Sequence, residues 1–322
     1  MEIPMPGLHH VTAIAGSAAG NLAFYRDVLG LRLIKQTVNF DDPGTHHLYF
    51  GDEQGNPGSV LTFFPHEHAA PGRVGVGQVG ETVFAVPEAS LGFWTERFIA
   101  KAVPFNPPEK RFGETVLSFQ DRDGTRLALV ALADANALPA WTGDGVGTGH
   151  AIRGIRSVTL WVASSDRSAA VLTGALGFRE AAREGNVVRH QVGSDATAPV
   201  MGGAVDLKIV SDVPPGRMGA GSVHHVAFRA ASDEEQAGMS AALSERLGIQ
   251  TTEQMDRCYF RSVYFREPSG VIFEIATDAP GFTTDETVES LGSDLRLPPW
   301  LETRRADIKR ALPPLGAAPA AA

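Results

Sequence analysis

The sequence predicts an α+β fold assembled from four copies of one strand–helix–strands unit (βαβββ), paired into two domains. Three observations carry this reading. The chain has 322 residues, 43% of them hydrophobic and 20% charged, which is ordinary globular composition and enough chain for two cores. One pattern recurs four times along it: a short apolar strand, an amphipathic helix stopped by Leu-Gly or a similar signal, then strands separated by Gly, Asp or Pro turns. The 35 glycines and 21 prolines punctuate short segments throughout rather than forming one low-complexity block.

The first copy opens with the strand LHHVTAI from Leu8 to Ile14. It continues through the helical stretch NLAFYRDVLG to Gly30 and closes with LRLIKQTVNF, THHLYFGD and GSVLTFFP. The second runs from ETVFAVP through SLGFWTERFIAKA to GETVLSFQDRDGTRLALVA, and the third from RSVTLWVA through DRSAAVLTGALG to VVRHQV and AVDLKIV. The fourth has a strand from Ser222 to Phe228, the helix DEEQAGMSAALSERLG, and the strands RCYFRSVYFRE and GVIFEIAT. Ser232 followed by Glu235 is a capping box for that helix, and Gly248 is placed to end it.

One such unit leaves a sheet face bare, so two must pair to close a core. The glycine-rich stretch TGDGVGTGHAIRG separates the two pairs of copies. The expected division is therefore an N-terminal domain over 1–148, a C-terminal domain over 153–280, and a tail over 281–322. In that tail Trp300 to Leu312 reads as a docking helix and GAAPAAA as disordered.

A formal charge of -9 argues against nucleic acid or an anionic membrane surface as partner. No segment has the length and apolarity of a membrane span, and nothing at the N-terminus reads as a signal peptide. The single cysteine, Cys258, forms no intrachain disulfide, so a cytoplasmic location is expected. Exposed sheet edges in such modules make self-association into a homo-oligomer a reasonable expectation.

Aligning the copies to one another locates the unusual residues. The first strands read H-V-T-A from His10, T-V-F-A from Thr82, S-V-T-L from Ser157 and H-V-A-F from His225, so only the outer copies hold a histidine in that slot. The last strands, aligned on their glycine, end on Thr62, Ala128 and Glu274, and the third copy gives no secure match there. A glutamate inside GVIFEIAT is costly to bury unless it is paired or binds a cation. One histidine alone is more often structural. Two at one repeat slot, with a lone carboxylate, make the set His10, His225 and Glu274 a metal site of the two-His, one-carboxylate kind used by non-haem Fe(II), with positions left open for substrate and O2. Pairing of Glu274 with Arg257 or Arg266 is the bland alternative. His46, His47, His66, His68, His150 and His190 fall outside the matching slots and read as surface or local structure.

At these residues the sequence resembles the vicinal-oxygen-chelate superfamily of glyoxalases, fosfomycin-resistance enzymes and extradiol dioxygenases, and within it the hydroquinone ring-cleaving dioxygenases. The stretches that carry the resemblance are LHHVTAIA, FYRDVLGLRLIKQTVNFDD, HHLYFGDEQGNPGSVLTFFP, SVHHVAF, EPSGVIFEIAT and GFTTDETVESLGSDLRLPPWLE. The resemblance implies Fe(II) on His10, His225 and Glu274, a small aromatic substrate with O2, and supporting roles for His9, Thr12, His224, Arg257 and Tyr264. Strand alternation turns His9 and His224 away from their ligand neighbours unless the strand bulges there. The competing readings are a glyoxalase-like metal-dependent lyase or isomerase and a non-enzymatic binder of aromatic or antibiotic molecules.

Overall fold

The structure is a computed structural model, and it describes residues 7–193 and 201–316. The first module consists of β1 (Leu8–Ala15), α1 (Ala18–Ala23) extended by a π-helical turn over Phe24–Val28, β2 (Arg32–Asn39), β3 (Asp42–Gly51) and β4 (Val60–Pro65). The second has β5 (Gln78–Pro87), α2 (Leu91–Ala100), β6 (Glu109–Arg111), β7 (Glu114–Gln120) and β8 (Arg126–Leu132). The third has β9 (Gly154–Val162), α3 (Asp166–Gly174), β10 (Arg179–Glu184), β11 (Val187–Gln191) and β12 (Ala204–Ile209). The fourth has β13 (Val223–Ala230), α4 (Asp233–Leu247), β14 (Met255–Asp256), β15 (Arg261–Arg266) and β16 (Ile272–Thr277).

These strands form two eight-stranded sheets, ordered β14-β15-β16-β13-β1-β4-β3-β2 and β10-β11-β12-β9-β5-β8-β7-β6. Sheet membership does not follow the halves 1–148 and 153–280. The first module joins the fourth through antiparallel β1 and β13, and the second joins the third through antiparallel β5 and β9. Repeat order along the chain gave no information on this point, because which edges meet is decided by long-range pairing.

Alternation along the strands sorts side chains between two faces. In the first sheet Val11, Leu48, Phe50, Leu61, Phe63, Val226, Phe273 and Ile275 go to the main hydrophobic core, which draws on all four modules. The residues between them, His10, Tyr49, Thr62, His225 and Glu274 among others, therefore face the opposite side. Ties between modules cross the core: the Tyr25 hydroxyl donates to Asp121 at 2.8 Å, and Ser168 Oγ to Glu267 at 2.7 Å.

Local expectations at the fourth helix hold. Ser232 Oγ accepts from the Glu235 amide at 3.3 Å, Glu235 accepts from the Ala231 amide at 2.6 Å, and Gly248 ends α4 at φ 66°. The tail helix forms as a 3-10 turn over Pro299–Arg304 leading into α5 (Arg305–Ala311), with Leu301 and Ile308 packed on Val38. Most of GAAPAAA lies outside the described residues.

Gly221 leads into β13 at φ 82°, and a Cβ there would stand 2.2 Å from the Asp123 carbonyl oxygen in the β7–β8 turn. Neither the left-handed backbone nor the backbone contact can relax cheaply. Gly221→Ala is expected to destabilise the fold by about 1–3 kcal/mol. A lowered chemical-denaturation midpoint checks it, and an unchanged midpoint would contradict the account of this crossing.

Candidate metal centre

The first sheet curves its polar face around a cavity of about 600 Å³ whose floor holds His10, His225 and Glu274. Each sits on a central strand: His10 on β1, His225 on β13, Glu274 on β16. Register brings them together, since β1 runs antiparallel beside β13 and Glu274 pairs with Ala227, two residues along from His225. His225 Nε2 lies 3.0 Å and His10 Nε2 3.4 Å from Glu274 Oε2. All three are buried, and the candidate ligand atoms lie within 4.8 Å of one another.

Glu274 Oε1 accepts from Ser262 Oγ on β15, whereas Oε2 has no hydrogen-bond donor. A carboxylate oxygen buried at zero exposure without a donor carries a large desolvation cost. Burial pushes this carboxyl up, and positive charge or N–H donation from His10 and His225 holds it well below the usual carboxylate range; with those rings neutral and their Nε2 atoms bare, a bound cation would have to supply that charge instead. Burial also lowers His225, so its imidazole favours the neutral, metal-ligating form. An orphaned anionic oxygen facing two imidazole nitrogens is a donor set that fits a divalent cation. Neither Arg257 nor Arg266 takes the carboxylate, so the bland pairing is corrected: Arg257 goes to Tyr264 and Asp41, and Arg266 to the Gly270 carbonyl.

The doubt over His9 and His224 resolves in the pairing of β1 with β13. Leu8 pairs with Phe228 and His10 with Ala227, so His9 is an extra residue on β1. Thr12 pairs with His225 and Ala13 with Val223, so His224 is the extra residue on β13. These two bulges keep each pair of rings on speaking terms: His9 Nδ1 is 2.9 Å from His10 Nδ1, and His224 Nδ1 is 2.8 Å from His225 Nδ1. Burial, with the neighbouring histidine adding to it, lowers His9 to about 3 and His224 to about 4, so both stay neutral. A neutral outer ring can accept from the Nδ1–H of its neighbour, which leaves His10 Nε2 and His225 Nε2 as the free lone pairs.

Of the other expected residues, Arg257, Tyr264 and His224 line the cavity. Arg257 Nε donates to the Tyr264 hydroxyl at 3.3 Å and its Nη2 reaches Asp41 at 3.1 Å. Thr12 shares the His10 face of β1 but does not line the cavity, and has a 2.8 Å hydrogen bond with Thr62. His9 also sits off the cavity, against Phe260. The reading of His47 and His66 as surface or local structure is corrected, because both line the cavity. Tyr49, Phe64 and Phe260 join them there and were not singled out from the sequence. The available signal was the i, i+2 spacing of His47 and Tyr49, which puts both on the face opposite Leu48.

The second sheet shows what the same slots become without a site. Its register also corrects the alignment of the second copy by one residue. Val79 pairs with Leu160 and Glu81 with Thr159, making Gly80 the bulge residue and Glu81, not Thr82, the counterpart of His10. In the third module Asp206 pairs with Thr159 as Glu274 pairs with Ala227, so Asp206 fills the carboxylate slot that sequence alignment left blank. Arginines occupy this cleft. Arg111 binds Glu81, and Arg189 forms a fork with Asp206 at 2.8 and 2.9 Å while reaching Glu114 at 2.7 Å. The acids here are neutralised internally.

Comparison with known proteins agrees with this architecture. The family model described as glyoxalase/bleomycin resistance protein/dioxygenase superfamily matches residues 7–129 and 154–275. The chain is 44% identical over 309 residues, 96% of its length and 99% of the relative's, to MhqE of Bacillus subtilis, a protein named as a ring-cleaving dioxygenase. It is 34% identical over 320 residues, 97% and 98% of the two chains, to a chlorohydroquinone/hydroquinone 1,2-dioxygenase of Sphingobium indicum. A crystal structure from Bacillus subtilis described as a dioxygenase superimposes with a TM-score of 0.90 at 42% identity, covering 96% of this chain and 97% of that one. With both halves matched by the family model and relatives similar from end to end, the chain belongs to the glyoxalase/bleomycin resistance protein/dioxygenase superfamily.

Proposed function

We propose that this protein is a ring-cleaving dioxygenase that opens a hydroquinone- or catechol-type aromatic ring with O2, using Fe(II) held by His10, His225 and Glu274. The observation that carries the reading is the unpartnered Glu274 Oε2 facing two imidazole nitrogens at the floor of a largely apolar cavity. The names of the whole-length relatives support the choice of reaction. Thr62 stands where a second carboxylate would stand by the pairing of β4 with β1, so the protein supplies three ligands and leaves more than one position open. That favours dioxygenase over glyoxalase-like chemistry on this scaffold.

Ferrous iron in this site would acidify a bound phenol and couple electron flow between the ring and O2. The chain's own residues do the rest. Phe64, Phe260 and Ile272 line the cavity with the ligand candidates and offer an aromatic ring an apolar slot. Arg257 stays cationic through the reaction, raised above its ordinary value despite burial by Tyr264 and Asp41, so it stabilises negative charge developing on substrate oxygen. Tyr264, raised by burial and by Glu274, remains a phenol at neutral pH and can hold a proton beside that oxygen. His224 lines the cavity and contacts His225, and with Nδ1 accepting from that ring its Nε2–H is placed to donate to a bound oxygen and orient a ligand. His9 and Thr12 do not line the cavity and act through neighbours, His9 on the His10 ring and Thr12 on Thr62.

The deciding experiment is anaerobic loading with Fe(II), followed by oxygen-uptake and absorbance assays on a panel of hydroquinones and catechols. Wild-type protein should bind one iron per chain and consume O2 with a ring-opened chromophore, and Glu274→Ala should lose both. Stoichiometric iron in Glu274→Ala would overturn the ligand assignment. Iron binding by the wild type without O2 uptake on any panel member would overturn the reaction.

His9→Ala and His224→Ala test the supporting imidazoles. Each removes the partner of a ligand Nδ1, and metal affinity is expected to fall by about 10- to 100-fold while the fold is retained. Competition with a chromogenic chelator measures this. Unchanged affinity in both variants would show that the outer rings do not tune the ligands.

A further inference from the structure

The cavity wall opposite Tyr264 and Arg257 holds a buried polar chain in which the reading above gives His47 and Tyr49 no role. His47 Nδ1 is 2.8 Å from the Tyr49 hydroxyl, and His47 Nε2 is 2.8 Å from Thr62 Oγ1, which is in turn 2.8 Å from Thr12 Oγ1. The His47 ring packs between Tyr49 and Phe64, with centroids at 4.0 and 4.3 Å. Tyr49 is 2% exposed and lines the cavity, as does His47.

Register shows that this wall mirrors the one carrying Tyr264. Tyr49 on β3 pairs with Thr62 on β4, as Tyr264 on β15 pairs with Glu274 on β16, while Thr62 and Glu274 occupy equivalent positions beside β1 and β13. Two residues before each tyrosine stand His47 and Ser262, which bond Thr62 and Glu274 respectively. The first module thus has a threonine where the fourth has the carboxylate, a tyrosine at the same position, and a histidine where the fourth has Ser262.

Both ring nitrogens of His47 are occupied, so its ring has no valence left for a ligand. The Tyr49 hydroxyl carries one donor and two acceptor sites and spends one on His47, so it keeps hydrogen-bonding capacity in either tautomer of that ring. Burial raises Tyr49 well above the ordinary phenol range, which keeps the proton in place at neutral pH. A chain of polar groups buried among aromatic rings costs desolvation that an apolar wall would avoid.

We propose that Tyr49 is a substrate-contacting residue. Its hydroxyl hydrogen-bonds a second ring oxygen, remote from the one held at His10, His225 and Glu274, and His47 is the positioning residue that fixes that hydroxyl. This rests on the ring-cleavage reading and adds a specificity determinant to it. The site then grips a dioxygenated ring from both modules, and a ring with a single oxygen loses the first-module contact.

The test is equilibrium binding of hydroquinone and of phenol to the iron-loaded protein under anaerobic conditions, in wild type, Tyr49→Phe, His47→Phe and His47→Gln, with iron content measured for each. Tyr49→Phe keeps ring and packing and removes only the oxygen. It should weaken hydroquinone by about three- to tenfold, the scale of one net hydrogen bond, and leave phenol within about twofold. His47→Phe should reproduce that selective loss, and His47→Gln, which can still bond a phenol, should recover part of it. Equal weakening of both ligands by Tyr49→Phe, or no weakening of hydroquinone, overturns the assignment. If the iron-loaded wild type binds neither ligand, the ring-cleavage reading itself falls, and the Tyr49 proposal falls with it.

Discussion

The structure around the cavity depends on one expensive group, the carboxylate of Glu274. It sits at zero exposure in a strand whose neighbours Phe273 and Ile275 go to the main core, and one of its oxygens has no donor. A fold that placed a glutamate there for stability alone would be better served by an apolar residue, since burying an ion rarely returns its desolvation cost. The cost is tolerated because β1 and β13 bring two imidazoles to the same point, and each imidazole is in turn backed by another. The four histidines and the carboxylate form one electrostatic unit. Its geometry follows from the antiparallel pairing of two strands far apart in sequence.

That pairing also explains why, among the described residues, the first sheet has such a centre and the second does not. The chain carries the same slots twice, once in each sheet. In the first sheet they hold His10, His225 and Glu274; in the second, Glu81, Ser157 and Asp206, with arginines inserted between the acids. Arg189 satisfies both oxygens of Asp206, where the first sheet leaves Glu274 Oε2 without a donor. Arg111 and Arg189 supply in the second sheet the positive charge that Glu274 Oε2 does not receive from a donor in the first. The second sheet therefore serves as a closed partner, contributing half of the common core.

What could be read from the sequence follows the same division between local and long-range information. The four modules, the capped α4 and the singling out of His10, His225 and Glu274, which the fold brings together, all rest on patterns within a few residues or on repetition, and these were legible. The bulges at His9 and His224 were not, because a bulge is a property of two paired strands and only its consequence, two adjacent histidines, shows in one of them. The same blindness shifted the second copy by one residue, from Glu81 to Thr82, and hid Asp206. His47 was set aside with the other histidines because it falls outside the repeat slots, and nothing local says which of His46 and His47 faces the cavity. His46 turns out to bond the Pro313 carbonyl in the tail.

The tail shows how far the support of the site extends beyond the modules. Lys35, fully buried on β2, donates to the Phe282 carbonyl at 3.1 Å, to Asp285 at 2.6 Å and to Glu286, and lies 4.7 Å over the Tyr259 ring. An ammonium buried this deeply is tenable only because two carboxylates and a carbonyl surround it. The same contacts fix Phe282 against Tyr49 at 5.2 Å and Tyr259 at 5.2 Å, and Phe260 packs on both His9 and His10. A segment outside the repeat thus clamps the aromatic layer behind the floor, so that the orientation of the imidazoles and of the Tyr49 wall is set by packing from outside the sheet as well as by hydrogen bonds within it. Three candidate ligands on three strands can hold one ion only if none of them is free to turn, and that rigidity is what the bulges, the paired rings and the tail supply together.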